Sequence, residues 1–167
     1  PKNYFPKYPI AEYVFRDLVS SHLREDSPAF FEAPAYASSL VKNFLKAKLS
    51  YPQYITITVR EIHRDNPNGT RSLNIEEWQK VIDELRKEKI DTIVIRDTVA
   101  AHSRPLFKGA IECPEASIHL PFRLALNERS ILNFTKNTGP GTLNLYGKNN
   151  GIYFNKFDDN QTALQEK

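Results

Sequence analysis

Methionine is missing from this chain of 167 residues, including at the first position. A natural reading frame opens on methionine, so the expectation is an excised piece of a larger protein or a sequence with residues missing. Cysteine is nearly absent. The single Cys113 excludes an internal disulfide and any cysteine-based zinc cluster, and its place before Pro114 suits a small packing residue. No apolar run approaches membrane-spanning length, and no signal-peptide pattern is present. A cytoplasmic protein with no membrane span is expected. No block of like charge is longer than two or three residues. The net charge of +3 favours an anionic ligand without implying nucleic acid. Walker A, HExxH and serine–histidine–acid patterns are absent as well, and the absence of GxGxxG argues against a dinucleotide oxidoreductase. The Asn-x-Thr triplets at Asn68, Asn133 and Asn160 carry no weight, because nothing indicates secretion and Asn133 falls in an expected buried strand.

What is present fits one ordinary globular core, with 40% hydrophobic and 26% charged residues. Residues 1–9 are rich in Pro, Lys and Tyr and read as an incoming linker. Ile10, Val14, Phe15, Leu18, Val19 and Leu23 recur at helical spacing, and a second helical stretch runs from Ala35 to Leu49. The Ser27-Pro28 and Ala33-Pro34 steps separate them. Tyr54–Arg60 is β-branched and reads as a strand, followed by a long loop to Leu73. Asn74 then caps a helix with Glu76 and Glu77 in its first turn and Trp78, Val81, Ile82 and Leu85 facing inward. Asp91–Asp97 is the next strand.

A loop over 98–114 follows, with an extended piece at Leu106–Ile111. Pro121 opens or tightens a helix running to Arg129. Strand 130–135, a glycine turn, a short helix and a last strand at Gly151–Phe154 complete the order. Near-continuous apolar strands alternating with amphipathic helices predict a Rossmann-like, three-layer αβα domain with a mainly parallel sheet, preceded by two helices. The expected organisation is 1–50 for the linker and helices, 51–157 for the Rossmann-like domain and 158–167 for a frayed tail.

Ligands of such sheets bind beyond the carboxyl ends of the strands. Three strand exits therefore draw attention. The glycine turn Asn137-Thr138-Gly139-Pro140-Gly141-Thr142 leads from a strand into a helix start, where unpaired N–H groups and the helix dipole favour an anion. Gly139 and Gly141 lack a Cβ and let a phosphate approach the backbone. Arg60 ends the first strand, where it reaches a phosphate bidentately or pairs with Glu61 on the surface. Asp97 ends the second strand, where an acid accepts from ribose or base donors or merely starts a turn. Glu115, His119 and Arg123 fall at i, i+4 and i+8. They share one face if a helix starts by Glu115; Ser117 is an equal candidate for the cap.

These segments resemble those of a known family. Asn137-Thr138-Gly139-Pro140-Gly141-Thr142-Leu143 is similar to the strand–[Ser/Thr]-Gly-Pro–helix segment of bacterial GT-B glycosyltransferases of the heptosyltransferase-like and fucosyltransferase-like groups. Thr58-Val59-Arg60-Glu61 resembles their strand-end arginine motif, and Glu115–Arg123 resembles a motif before the third helix of related sugar-transferase domains. The resemblance spans about residues 54–155. It implies the C-terminal, donor-binding half of a glycosyltransferase acting in bacterial cell-surface polysaccharide synthesis, with the acceptor half missing. On that resemblance Arg60 is the catalytic residue, neutralising the donor phosphates. Glu61, Asp97, Glu115, His119, Arg123 and the turn from Asn137 to Thr142 line the donor site. The implied partners are a nucleotide-diphosphate-sugar donor, a glycan acceptor and an N-terminal domain. No cofactor and no metal are expected, since no Asp-x-Asp motif is present. Asn137 and Thr138 stand where the heptosyltransferase version often has an acid, so the sugar and base do not carry over.

Two other classes stay open on the residues themselves. One is a non-catalytic α/β module that binds a small anion or a partner protein at the same edge. The other is a phosphosugar-processing enzyme complete in one domain, with His63, His102 or His119 as its base.

Overall fold

A computed structural model describes residues 31–59, 74–136, 141, 143–144 and 147–154. Helix α1 (Ala35–Lys48) precedes strand β1 (Gln53–Thr58), helix α2 (Ile75–Lys87) and strand β2 (Ile90–Ile95). A single 3-10 turn (Thr98–Ala100) leads to the short strand β3 (Ile111–Glu112). Two helices follow, α3 (Pro114–Ile118) and α4 (Leu120–Arg129), then strands β4 (Leu132–Lys136) and β5 (Gly151–Phe154).

The strands form one five-stranded sheet in the order β3-β2-β1-β4-β5. Every pairing in it is parallel. The Rossmann-like parallel α/β architecture expected from the alternation is therefore present. The extended piece expected at Leu106–Ile111 is shorter and later: only Ile111 and Glu112 pair, opposite Ile93 and Val94. Pro105 lacks an N–H to donate, and Gly109, at φ 73°, turns the chain before Ile111. The expected β1 reaches Arg60, whereas its ladder closes at Thr58 with one further backbone bond, Val59 N–H to Ile95 O at 2.9 Å.

Alternation along β1 decides what each face meets. Ile55, Ile57 and Val59 join Ile82 of α2, Val94 and Phe107 in one buried cluster. Tyr54 points the other way, into a cluster with Ala37 and Val41 of α1, Ile93, Ile95, Cys113, Ala116, Phe122, Ala125 and Leu126. The sheet is thus covered by α2 on one side and by α1 and α4 on the other, as a parallel sheet requires. Thr56 and Thr58 share the α1/α4 side with Tyr54, because residues two apart on a strand face the same way. They are 0% and 6% exposed, so this face of β1 is buried and polar at its carboxyl end.

Local signals agree with the elements. Asn74 Oδ1 accepts the Glu77 N–H at 3.3 Å at the start of α2, as its sequence position predicts. Lys89, just past the α2 cap, takes φ 59°, the left-handed conformation common after a helix end. None of the described helices is long and apolar enough to cross a membrane.

Candidate functional site at the β1/β4 switch

The chain builds β1, β2 and β3 outward in one direction, then returns to place β4 on the other side of β1. That reversal puts the sheet's topological switch point between β1 and β4, and open parallel sheets bind ligands beyond the carboxyl ends of the strands at such a point. Thr58 closes β1, and Asp97 lies two residues past the end of β2. Cys113 follows β3 directly, and Arg123 sits in the first turn of α4. All four therefore belong to the carboxyl edge of the sheet or to the helix that begins there.

Arg123 is the distinctive group. It is 2% exposed, yet its guanidinium meets no carboxylate in ion-pair contact among the described residues. Nη2 donates to Thr58 Oγ1 at 2.7 Å. Nε is buried and has no hydrogen-bond partner. Burial pulls the guanidinium down to about 10, and the charge of Asp97 and then the Cys113 sulfur offset part of that. A buried cation with an unmet donor is costly unless something anionic completes it.

Around Arg123, α3 and α4 arrange the other expected site residues differently from a single continuous helix. The helix breaks at His119, whose φ of −105° and ψ of 97° are extended. Pro121 explains the break, since its ring cannot follow a helical turn whose N–H it lacks. Glu115, His119 and Arg123 thus do not share one helix face. Nor does Ser117 cap α4: its carbonyl accepts from Thr98 Oγ1 at 3.2 Å, and its hydroxyl has no partner. His119 is the cap, with Nδ1 accepting the Phe122 N–H at 3.0 Å. Glu115 Oε2 accepts from the Cys113 thiol at 3.6 Å. Burial pushes that thiol up to about 12, with Glu115 adding to the effect and a backbone bond from Ala116 and the charge of Arg123 opposing it.

Asp97 acts on Arg123 electrostatically and leads into the 3-10 turn, where its carbonyl accepts the Ala100 N–H at 2.9 Å. Its neighbour Arg96 is buried and donates to Arg104 O at 2.7 Å, which fixes the loop behind the edge. Gly141 is buried. Arg60, Glu61, Asn137, Thr138, Gly139, Pro140 and Thr142 lie outside the described residues.

Sequence reasoning missed a second set of buried polar residues between α4, β1 and β4. Asn127 and Asn133 are both 0% exposed, and Asn144 is 3% exposed. Thr56 Oγ1 donates to Asn133 Oδ1. It also lies 3.4 Å from Asn127 Oδ1. Ser130 Oγ bridges Asn127 O and Asn133 Oδ1, each at 2.9 Å. Asn133 Nδ2 donates to Asn150 O at 2.9 Å, ahead of β5. Asn127 Nδ2 donates to Asn144 Oδ1, and Asn144 Nδ2 is buried without a partner. The readable signal was the pairing of Arg123 with Asn127 at i, i+4 in a helix otherwise buried through Phe122, Leu124, Ala125 and Leu126. Two polar residues on one turn of a buried helical face need polar partners.

Compared with protein-family models, with curated proteins and with solved structures, the chain matches none.

Proposed function

We propose that the switch point between β1 and β4 binds the diphosphate of a nucleotide sugar, and that this domain is the donor half of a metal-independent glycosyltransferase of bacterial cell-surface polysaccharide synthesis. The observation that carries the anion part is Arg123: a buried guanidinium at the switch point whose Nε lacks a partner and which, among the described residues, forms no ion pair with a carboxylate, Asp97 acting on it only through its charge. A diphosphate is a chemically suitable complement. It offers several acceptor oxygens and a delocalised negative charge that an arginine engages through charge-assisted bonds. The sugar-transfer part rests on the resemblance of Thr58–Glu61, Glu115–Arg123 and Asn137–Leu143 to GT-B donor domains.

In this reading Arg123 and Arg60 stabilise charge that builds on the departing diphosphate, together with backbone N–H groups after Gly139. An acceptor hydroxyl, brought by another domain, attacks the anomeric carbon. One observation favours a non-catalytic anion-binding module over a phosphosugar-processing enzyme complete in this domain. His119 Nδ1 already accepts the Phe122 N–H, so that nitrogen is spent on the α4 cap rather than on proton transfer.

Thermal unfolding in the presence of ADP, GDP or UDP, each beside its bare nucleoside, tests the reading. At least one diphosphate should raise the midpoint, because a ligand that binds only the folded state stabilises it in proportion to RT ln(1 + [L]/Kd). The matched nucleoside should shift it much less. No shift with any diphosphate, or equal shifts with the nucleosides, refutes the anion site. Consumption of a nucleotide sugar with transfer to a glycan, once an acceptor domain is supplied, separates the transferase from the non-catalytic module.

A further inference from the structure

Helix α1 has one face in the core and another at the surface. Ala37 and Val41 are buried, while Tyr36 and Leu40 are 54% and 49% exposed. Helical periodicity explains the split. At ~100° per residue, Tyr36, Leu40 and Lys46 fall within an arc of about 120° that faces away from Ala37 and Val41. The exposed pair does not stand alone. The Tyr36 ring meets His119 edge-on, with centroids 6.2 Å apart. Ile118 and Leu120 flank that histidine between α3 and α4 and are 60% and 55% exposed. Four large apolar side chains thus gather about one ring contact, and none of them belongs to either core cluster. Single exposed apolar residues are ordinary on a protein surface, whereas a gathered set marks a contact face.

The charge beside this patch has one sign. Lys42, Lys46 and Lys48 of α1 are all exposed, and none forms an ion pair among the described residues. No acidic residue occurs from Ala33 to Val59. The neighbouring carboxylates are engaged: Glu32 pairs with Lys148 at 3.0 Å, Glu128 accepts the Ala33 N–H at 2.8 Å, and Glu115 accepts from the Cys113 thiol. A second copy of the chain docked on this face would bring a cationic helix against itself with no carboxylate on α1 to meet it. The complement is an anionic partner with an apolar interior.

We propose that this face docks on an anionic lipid surface, with Tyr36, Leu40, Ile118 and Leu120 entering the headgroup boundary and Lys42 and Lys46 meeting lipid phosphates. Apolar burial and attraction of basic residues to anionic headgroups are the two terms that hold an interfacial helix on a bilayer. The tyrosine ring and the lysine stems suit that depth, because each joins an apolar body to a polar tip. Tyr36 and Lys46 stand about 15 Å apart along the axis of α1, and a flat surface reaches both at once. The inference does not depend on the anion-binding reading of the β1/β4 switch point.

Co-sedimentation of the full chain with vesicles tests it, using phosphatidylcholine alone and phosphatidylcholine with about one third phosphatidylglycerol. The chain should sediment with the anionic vesicles, far less with the neutral ones, and should be released by high salt. Lys42→Gln combined with Lys46→Gln should weaken binding to anionic vesicles roughly twentyfold, the scale set by two basic residues near such a surface. Leu40→Ser combined with Leu120→Ser should weaken it about tenfold through lost apolar burial. All four side chains are exposed, so both double variants should keep the parent's thermal midpoint closely. Equal binding to neutral vesicles, or no binding to either kind, overturns the proposal. Binding retained in both double variants overturns it as well, because the contact then lies elsewhere in the chain. A concentration-dependent dimer in analytical ultracentrifugation that the leucine substitutions abolish would assign the face to a second copy and overturn it too.

Discussion

Arg123 on α4 donates to Thr58 at the end of β1 across 2.7 Å of buried space, and that hydroxyl is the sole hydrogen-bond acceptor recorded for its guanidinium among the described residues. A threonine oxygen is a neutral partner for a full positive charge. The pair therefore orients the arginine without neutralising it. Orientation without neutralisation is what an anion site needs, since a resident carboxylate competes with the ligand for the same donors.

The arrangement separates stability from binding at one residue. Arg123→Met keeps much of the side-chain length and removes a charge that forms no ion pair among the described residues and feels Asp97 only at a distance. Replacing buried charges by apolar groups of similar volume is often neutral or stabilising, by ~1–4 kcal/mol. Urea denaturation of Arg123→Met should therefore show unchanged or increased stability, while its diphosphate affinity falls tenfold or more. A destabilisation of ~3 kcal/mol or greater would place Arg123 in the scaffold and leave the switch point without its cation.

Much of the architecture was legible in the sequence because burial on both faces of a parallel sheet leaves long β-branched runs. Tyr54–Val59 and Asp91–Ile95 declare themselves in this way, and the amphipathic face with Trp78, Ile82 and Leu85 declares α2. β3 escaped this logic: two residues, Ile111 and Glu112, carry no periodicity, and only the sheet beside them makes them a strand. The region around His119 escaped for another reason. Residue spacing alone allows one helix through Glu115 and Arg123, but Pro121 forces a restart whose cap is a histidine, outside the preferred set of Ser, Thr, Asp and Asn. The Asn127–Asn133–Asn144 network had only the Arg123–Asn127 spacing to announce it, because its members sit on α4, on β4 and after β4 and meet only once β4 has paired with β1. Arg123 was visible as a residue type, while its burial against Thr58, without an ion pair among the described residues, needed the fold.

His119 provides a second prediction. Its ring packs edge-on against Tyr36, with centroids 6.2 Å apart at 83°, and its Nδ1 closes the first turn of α4. Asparagine caps helices well, whereas alanine does not, and losing a side-chain cap costs about 1 kcal/mol. His119→Asn should therefore stay closer to the parent than His119→Ala in denaturant midpoint, with the alanine variant lower by about that amount. Diphosphate binding should survive the asparagine substitution. Loss of binding in His119→Asn at unchanged stability would show instead that the imidazole itself meets the ligand.

Cys113 gives the third, through pH. Its thiol is 1% exposed and is pushed by burial from an ordinary value of 9.0 up to about 12. The folded state thus holds this proton more tightly than the unfolded state. The stabilisation is fully present below pH 9, where both states carry the proton, and is lost as pH rises from 9 toward 12. At pH 10 the loss amounts to about 1.4 kcal/mol, one pH unit beyond the unfolded value. Tyr54 has the same sign above its ordinary value of 10.0, because burial raises its phenol while its hydroxyl donates to Leu126 O at 2.7 Å. Arg123 has the opposite sign: its depressed folded value of about 10 means that the cost of burying the charge is relieved as pH rises past 10. Between pH 9 and 10 the thiol therefore dominates, since the phenol and the guanidinium only begin to titrate there and with opposite signs. Denaturation curves should show stability falling across that window in the parent protein, and the Cys113→Ala variant should lose most of that slope whatever its absolute stability. Iodoacetamide at pH 8 should label the thiol slowly in the folded protein and rapidly in concentrated urea. Equal labelling rates in the two states, or an alanine variant with the parent's slope, would show that Cys113 is neither buried nor protonated in the way the packing of Cys113 against Ala116, Ile95 and Phe122 requires.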